Sequence, residues 1–183
     1  MRKVIAAEYV SVDGVMEDPQ WTAPYWTDEL AAIQRELLFE SDALLMGRVT
    51  YDEMSQAWPE SKEGDFADRM NSLPKFVPST TLYELGWNAS LMSGNVAEEV
   101  ARLKNLGEGH LLIYGSGVLV QYLMTHDLID EHRLMVFPVV LGRGKRLFGR
   151  GIKASMRLTM SRSLASGVMV QTYESICSSG FDT

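Results

Sequence analysis

The sequence is poor in the residues on which disulfide and metal chemistry depend. It has one cysteine, Cys177, and three histidines, His110, His126 and His132, in 183 residues. A single cysteine excludes an internal disulfide bond and is typical of a reducing compartment, so we expect a cytoplasmic protein. The histidines are scattered and have no partner at metal-ligand spacing, which predicts that the protein has no metal site.

The sequence also has no long apolar run and no excess of basic residues. No segment is long enough to span a bilayer, and residues 1–3 lead into a short strand-like run rather than a signal peptide. The net charge is −7, which argues against binding to nucleic acid or to an anionic membrane, because both require a basic face. The hydrophobic share of 46% is that of a globular protein. We predict a single domain over residues 1–176, followed by a disordered tail over 177–183.

Short apolar runs alternate with helical patterns along most of the chain. Such runs are typical of strands covered on both faces, and two capping-box patterns, Thr50 with Glu53 and Asn95 with Glu98, each predict a helix start. The predicted strands are 4–10, 42–46, 75–77, 110–114, 132–139, 156–164 and 168–174, and the predicted helices are 28–40, a short one from Thr50, one after Asn95, and 118–125. The segment 59–74 is predicted to be a surface excursion with at most a helical turn. We therefore predict an α/β fold with a mostly parallel central sheet, flanking helices and a C-terminal antiparallel hairpin.

Two of the predicted strands run through glycine directly into a helix. One continues into Gly47–Thr50, which we call the first glycine turn, and the other ends in Tyr114–Gly117, the second glycine turn. Each junction presents free backbone N–H groups and the positive end of a helix dipole, which together favour a phosphate group. Arg48 adds a planar cation to the first turn. Two such turns in one domain predict a ligand with several phosphates, such as a dinucleotide.

Four segments are distinctive in their order and spacing. They are Ser11–Met16, similar to S-L-D-G; Leu45–Tyr51, similar to M-G-R-x-T-[WY]; the second glycine turn; and Phe137–Phe148, similar to P-x-x-L-G-x-G-x-x-L-F. In this order they resemble the dihydrofolate reductase fold. More closely, they resemble the reductase domain of the bifunctional riboflavin-biosynthesis deaminase–reductase and its stand-alone bacterial relatives. The resemblance implies NADPH-dependent hydride transfer to a pyrimidine- or pteridine-like ring.

The resemblance also implies where the cofactor would bind. Arg48 would contact the adenosine-side phosphate, Thr50 would hold the pyrophosphate, and residues 79–81 would select the 2′-phosphate, although Pro78 removes one backbone donor there. The second glycine turn would lie under the nicotinamide-side phosphate. The cofactor-binding residues predicted in this way are Ala7, Asp13, Gly14, Gly47, Arg48, Val49, Thr50, Ser79, Thr80, Thr81, Tyr114, Gly115, Ser116, Gly117, Val118 and Leu119.

The segment before the first helix predicts the substrate side of the site. Trp21 and Trp26 could wall a flat heterocycle and exclude water, or could form a lid that packs on the core. Asp28 stands where folate reductases place a carboxylate that assists protonation, and it is the predicted catalytic and substrate-orienting residue. A carboxylate in a first helical turn is also favoured by the helix dipole alone.

Three functions remain open from the sequence. The first is an NADPH-dependent reductase of the 5-amino-6-(5-phosphoribosylamino)uracil reductase type. The second is a true dihydrofolate reductase, and the third is a nucleotide-binding protein of the same fold without turnover. The basic residues Arg143, Lys145, Arg146 and Arg150 could take a ribose phosphate or belong to a solvated hairpin. The resemblance also implies a homodimer through the late strands; edge strands need cover, and self-pairing is one way to supply it.

Overall fold

The computed structural model describes residues 2–61, 64–82 and 84–176. Eight strands form one sheet in the order β4-β3-β2-β5-β1-β6-β8-β7. The strands are β1 (Val4–Ser11), β2 (Ser41–Leu45), β3 (Lys75–Pro78), β4 (Ala89–Met92), β5 (His110–Tyr114), β6 (Glu131–Phe137), β7 (Ser155–Ser163) and β8 (Met169–Ile176). The predicted tail, 177–183, lies outside the described residues.

Within the described residues, five helices accompany the sheet, together with a short 3-10 helix at Pro19–Tyr25. The helices are α1 (Asp28–Glu40), α2 (Arg48–Ala57), α3 (Gly64–Ser72), α4 (Val96–Leu103) and α5 (Gly117–Met124). None of the helices described is long and apolar enough to cross a membrane.

The sheet has a parallel part and an antiparallel part. The pairs from β4 to β6 along the sheet are all parallel, whereas β8 pairs antiparallel with both β6 and β7. Parallel neighbours require crossover connections. Helices lie in the connections from β1 to β2, from β2 to β3, from β4 to β5 and from β5 to β6. The turn after β7 joins β7 and β8 directly as a hairpin. The predicted fold class is therefore confirmed.

Each face of the central strands carries its own core. On β1, Ile5 and Ala7 belong to one apolar cluster, which includes Leu30 of α1. Val4 and Ala6 belong to the other, which includes Val120 of α5. This alternation follows from the two-residue period of a strand. Because both faces of the central strands are buried in this way, their sequences are continuous apolar runs rather than alternating apolar and polar residues.

Three local predictions need correction. Helix α2 begins at Arg48 with Gly47 as its N-cap, because the Thr50 hydroxyl is used elsewhere and does not cap this helix. The 59–74 segment contains a nine-residue helix, α3, rather than a surface excursion alone. Ala67 and Met70 of α3 are buried. Strand β4 was not predicted, because its four residues, of which two are exposed, give no apolar run to detect it.

A buried lysine fixes the end of α3. Lys75 has no exposed surface, and its ammonium donates to the carbonyl oxygens of Met70, Asn71 and Leu73. It also lies 4.1 Å from the centroid of the Trp87 ring. These carbonyls have no partner further along the helix, so the lysine satisfies them as a cap. Burial lowers the pKa of Lys75 to about 8.

Candidate functional site

The two glycine turns lie side by side at the carboxyl edge of the sheet. They follow β2 and β5, which are parallel neighbours. The Gly47 N–H donates to Ser116 Oγ over 2.9 Å, and the Ser116 N–H donates to Thr50 Oγ1 over 3.1 Å. Each turn therefore supplies a hydroxyl acceptor to a backbone amide of the other. The starts of α2 and α5 form one surface rather than two separate anion sites.

The first glycine turn is exposed and carries charge. The Tyr51 N–H is bonded back to the Gly47 carbonyl, so the preceding N–H groups of α2 have no acceptor within the helix and can face a ligand. Arg48 donates to Asp52 over 2.7 Å in an exposed pair one turn along the helix. Val49 is exposed as well. A phosphate at this position would meet one guanidinium whose charge is partly balanced by a carboxylate.

The second glycine turn is defined by its backbone. Gly115 has φ +60° and Ser116 has φ +57°, so two consecutive residues are left-handed, a conformation that is costly for serine. A Cβ on Gly117 would lie 2.6 Å from Met16 Sδ, so glycine leaves the space that Met16 fills. Val118 is exposed and Leu119 is buried. The first turn of α5 thus offers backbone N–H groups without a cation.

A buried acid beneath the second turn was not predicted from the sequence. Glu8, on β1, is 2% exposed, and its Oε1 has no hydrogen-bond partner among the described residues. Burial raises the pKa of Glu8 well above the ordinary value, and the nearby Gly115 N–H lowers it by a smaller amount. The one signal available was a lone acid inside the apolar run 4–10.

The residues predicted for the 2′-phosphate lie at the end of β3, at the same edge of the sheet. Ser79 Oγ accepts hydrogen bonds from the N–H groups of Thr81 and Leu82, each over 3.1 Å. Ser79 is therefore used to form its own turn. Thr80 and Thr81 are exposed, so their hydroxyls are the accessible polar groups of this segment.

Asp13 anchors the segment after β6 to the exit of β1. Its carboxylate accepts from the Ser11 hydroxyl over 2.7 Å and from the N–H groups of Leu141 and Gly142 over 3.1 and 2.8 Å. These bonds, the Ser11 bond first, lower the pKa of Asp13 to about 2. The neighbouring Gly14 has φ +80°. Asp13 is a structural anchor beside the predicted site, and its carboxylate is already occupied by protein donors.

The predicted basic cluster is partly neutralised. Arg146 lies 3.8 Å from Asp13 Oδ2, and Lys145 lies 3.2 Å from Glu17 Oε1. Arg143 and Arg150 are exposed and form no ion pair with any residue that the structure describes. The segment is thus held against the β1 exit by its own charges.

Aromatic side chains cluster around Phe137 at the carboxyl end of β6. Trp21 and Tyr9 meet the Phe137 ring edge to face, with centroids 5.5 and 5.6 Å apart. Trp26 meets Tyr9 over 5.9 Å and is 46% exposed. The structure brings Trp21 and Trp26 to one cluster, with Trp21 packed inward and Trp26 at the surface. Asp28 begins α1 nearby and is exposed.

Ala7 leaves space between two larger side chains on this face of the sheet. It pairs with Tyr114 on β5 and with Arg133 on β6. The Tyr114 hydroxyl is buried and has no hydrogen-bond partner among the described residues. Burial first, and then the nearby Tyr9, raise the pKa of Tyr114 well above its ordinary value. The hydroxyl is therefore a neutral hydrogen-bonding group.

A cavity of about 330 Å³ lies elsewhere, between α1 and strands β6, β8 and β7. Its lining includes Gln34, Arg133, Met135 and Met160. None of the sequence-predicted site residues lines it, so it is distinct from the surface formed by the two glycine turns.

The sheet order, the paired glycine turns and the closing hairpin together define a dihydrofolate reductase-like fold. The chain belongs to the RibD C-terminal domain family, whose pattern matches residues 2–170. It is 30% identical to the uncharacterized protein YyaP of Bacillus subtilis over 94% of each chain.

Among solved structures, a protein assigned to riboflavin biosynthesis from Shewanella sp. PV-4 has a TM-score of 0.74 at 26% identity, with 95% of this chain and 99% of that chain covered. A dihydrofolate reductase from Enterococcus faecalis, complexed with NADP(H), has a TM-score of 0.64 at 14% identity, covering 94% and 96% of the chains. The family resemblance predicted from the sequence is thereby confirmed.

Proposed function

We propose that this protein is an NADPH-dependent reductase that transfers hydride to a pyrimidine- or pteridine-like ring, of the 5-amino-6-(5-phosphoribosylamino)uracil reductase type. The observation that carries the proposal is the pair of hydrogen bonds between the two glycine turns. It joins two helix starts, with their unpaired N–H groups and dipoles, into one surface, and such a pair of anion-binding helix starts suits a dinucleotide pyrophosphate. Membership of the RibD C-terminal domain family supports a reductase at this surface.

The residues present fit such a cofactor. Arg48 would meet an adenosine-side phosphate, the N–H groups at the starts of α2 and α5 would hold the pyrophosphate, and Thr80 and Thr81 would offer hydroxyls to the 2′-phosphate. When bound, NADPH would supply the hydride. The chain would supply binding, orientation and exclusion of water, the last through the cluster of Trp21, Trp26 and Phe137.

The segment Phe137–Phe148 disfavours a true dihydrofolate reductase, because it resembles the riboflavin-type branch instead. Asp28 is exposed at the first position of α1, where folate reductases place the carboxylate that contacts the substrate ring. We retain it as the proposed substrate-orienting residue. Asp28→Asn tests this role, because a loss of turnover without a loss of NADPH affinity would support it.

The test of the proposed function is a titration with NADPH, and with NADH in parallel, followed by quenching of tryptophan fluorescence. Arg48→Ala should weaken NADPH binding about tenfold or more, since one charge-assisted hydrogen bond contributes ~1.5–3 kcal/mol. Arg102→Ala is the matched control, because Arg102 forms a similar exposed helical pair with Glu99 on α4, and it should bind NADPH as the wild type does. Absence of binding by folded wild-type protein would overturn the proposal. Binding without oxidation by any pterin or aminouracil would favour a binding protein.

We also propose a homodimer through the late strands. β7 is an edge strand in which seven of nine residues are exposed, and Leu158 and Met160 are 50% and 41% exposed. A long edge strand with exposed apolar side chains needs cover, and self-association supplies it. Sedimentation velocity should show a dimer that Leu158→Lys converts to a monomer.

A further inference from the structure

Residues 139–149, which we call the strap, lie between β6 and β7, outside the helices and strands. They run beside residues 11–17 at the exit of β1, which we call the β1 loop, and an isolated bridge pairs Val15 with Arg146. Leu147 of the strap has no exposed surface. Because the strap is not part of a regular hydrogen-bond ladder, its position depends on the individual groups that bond it.

Two backbone hydrogen bonds tie the strap to the β1 loop. The Met16 N–H donates to the Lys145 carbonyl over 2.9 Å, and the Leu147 N–H donates to the Gly14 carbonyl over 3.0 Å. The two bonds run in opposite directions on either side of the bridge, as in a short antiparallel pair. The backbone position of Met16 is therefore set by the strap.

Two carboxylates of the β1 loop fasten the strap further. Asp13 accepts from the Leu141 and Gly142 N–H groups, one through each of its oxygens. Glu17 Oε2 accepts from the Lys145 N–H over 3.2 Å. Hydrogen bonds to an ionised acceptor are stronger than those to a neutral one. Asp13 thus holds the start of the strap, and Glu17 holds its middle.

The strap is also fastened to α5, one helical turn beyond the second glycine turn. Gln121 Nε2 donates to the carbonyls of Arg146 and Leu147 over 3.1 and 2.9 Å. A Cβ on Gly149 would lie 2.9 Å from Gln121 Oε1, so glycine leaves room where the strap passes this side chain. The strap therefore joins the β1 loop to the helix whose first turn forms part of the candidate site.

Met16 completes this connection next to the site. Its side chain packs on the core cluster that contains Val120 of α5, and its Sδ occupies the space that the absence of a side chain at Gly117 leaves free. Gly117 is the first residue of α5 and the last of the second glycine turn. Since the strap sets the backbone of Met16, the contact between Met16 and Gly117 links the position of the strap to that of the turn.

We propose that Asp13 is a positioning residue of the cofactor site: by fastening the strap it keeps Met16 against Gly117, and it thereby orients the N–H groups that meet the bound phosphate. This inference rests on the proposed function, since it assumes a phosphate group at the second glycine turn. Both Asp13 oxygens are bonded to protein donors, and a carboxylate repels a phosphate, so Asp13 acts on the cofactor through the strap rather than by direct contact. Donors that are held in place before binding lose less entropy when the ligand arrives.

The experiment compares NADPH binding by wild type, Asp13→Asn, Met16→Ala and the double variant, by fluorescence titration. Asparagine offers one acceptor oxygen and turns an NH2 donor toward a backbone donor, so the strap loses a fastening. Each single variant should weaken binding about fivefold, and the double variant should be at most about twofold weaker than the weaker single variant, because both act on one path. An additive loss of about 25-fold, or unchanged binding in either single variant, would overturn the proposal.

The Met16 variants show whether packing carries the effect. Met16→Ala removes no side-chain hydrogen bond, so it tests the same path should Asp13→Asn fail to fold. Met16→Leu keeps an apolar side chain of similar size and should bind NADPH within about twofold of wild type. A loss as large as that of Met16→Ala would contradict the packing of Met16 on Gly117 as the link.

Asp130→Asn is the matched control for a general loss of stability. Asp130 accepts from the Val4 N–H over 2.7 Å and from Lys104 Nζ over 2.8 Å, at the amino end of β1 and away from the site. Asp130→Asn should lower the free energy of unfolding, as Asp13→Asn does, but should leave NADPH binding unchanged. If it weakens NADPH binding as much as Asp13→Asn, the effect of Asp13 is one of stability alone and the proposal fails.

Hydrogen exchange without nucleotide separates this proposal from the proposed function. The Ser116 N–H is bonded to Thr50 and the Val120 N–H to the Ser116 carbonyl, so both amides report on the second glycine turn. They should exchange at least about fivefold faster in Asp13→Asn and in Met16→Ala, whereas the strap amides bonded to Asp13 should respond only to Asp13→Asn. Unchanged exchange at Ser116 and Val120 would overturn the proposal even if NADPH binds. If wild type binds no nucleotide but these amides respond, the proposed function and the positioning role both fail, and only the connection between strap and turn stands.

Discussion

The two glycine turns look alike in sequence and differ in almost every physical respect. The first is exposed, has ordinary backbone angles and carries Arg48. Gly47 has φ −65° and ψ 154°, which any residue can adopt. The second has two left-handed residues, no cation and a buried acid beneath it. The same strand–glycine–helix pattern has therefore produced one turn that depends on charge and one that depends on backbone shape.

This difference assigns distinct contributions to the two turns. A cation on an exposed helix attracts phosphate over a distance but contributes little orientation, because it is mobile and screened by salt. A left-handed turn that is hydrogen-bonded to the neighbouring turn presents its N–H groups in one direction and is preorganised. We infer that the first turn sets the strength of phosphate attraction and that the second sets its geometry.

The largest contrast is expected from placing alanine in each turn. Gly115→Ala forces a side chain into the left-handed region and should lower the free energy of unfolding by ~1–2 kcal/mol. It should also weaken NADPH binding more than tenfold, because the turn would relax. Gly47→Ala should lower the free energy of unfolding by only about 0.5 kcal/mol, since it changes a glycine N-cap at an ordinary φ. Its Cβ would lie 3.6 Å from Ser116 Cβ, an ordinary contact.

Urea unfolding and NADPH titration of both variants measure this contrast. The Cβ of Gly115→Ala would lie 3.5 Å from Thr50, so a clash does not account for its loss. Equal losses in the two variants would show that both glycines serve close packing or close approach, and the distinction between the turns would fail.

A smaller effect should reveal how far the turns act together. Ser116→Ala removes the acceptor of the Gly47 N–H, and Thr50→Val removes that of the Ser116 N–H. Each should cost ~1 kcal/mol of unfolding free energy, the net value of one hydrogen bond. The double variant should cost less than the sum, because both bonds hold the same interface between turns. Strict additivity in urea unfolding would mean that the turns are independent.

The sequence was sufficient for the fold because the relevant signals are local and periodic. These signals are the apolar runs of strand length, the glycines at strand ends and the four family-like segments. Each can be detected within a short stretch of sequence. The Asn95 cap was predicted correctly, and its side chain accepts from the N–H groups of Ala97 and Glu98. Thr50 has the same pattern with Glu53, yet its hydroxyl is drawn to Ser116 from another element. A capping pattern cannot show such competition.

The sequence indicated which segments form the candidate site, but it did not indicate the hydrogen bonds that join those segments. The bond from Gly47 to Ser116 joins residues 69 apart in the sequence, and the bonds from Leu141 and Gly142 to Asp13 span more than 120 residues. No local pattern encodes these bonds. The same limit applies to β4, whose four residues, two of them exposed, complete a sheet edge without an apolar run.

Adding a charge to the second turn tests whether the first turn sets the strength of phosphate attraction and the second turn sets its geometry. Val118 is 80% exposed in the first turn of α5, so Val118→Arg adds a cation without disturbing the core. It should tighten NADPH binding about threefold at low salt, in keeping with the ~0.2–1 kcal/mol of an exposed ion pair, and the gain should vanish at high salt. Val118→Gln, of similar length without charge, is the control. A gain with glutamine, or a gain insensitive to salt, would indicate a contact other than charge.

The smallest effect is expected at the partner of Arg48. Asp52 holds the guanidinium in an exposed pair, so Asp52→Asn should free Arg48 for phosphate and tighten NADPH binding about twofold, since such pairs contribute only ~0.3–0.5 kcal/mol. The gain should be absent in an Arg48→Ala background, because there is then no guanidinium to release. Fluorescence titration of the four proteins of this cycle measures it. If Asp52→Asn weakened binding instead, Asp52 would be orienting Arg48 toward the phosphate rather than competing with it, and the first turn would be preorganised in the same sense as the second.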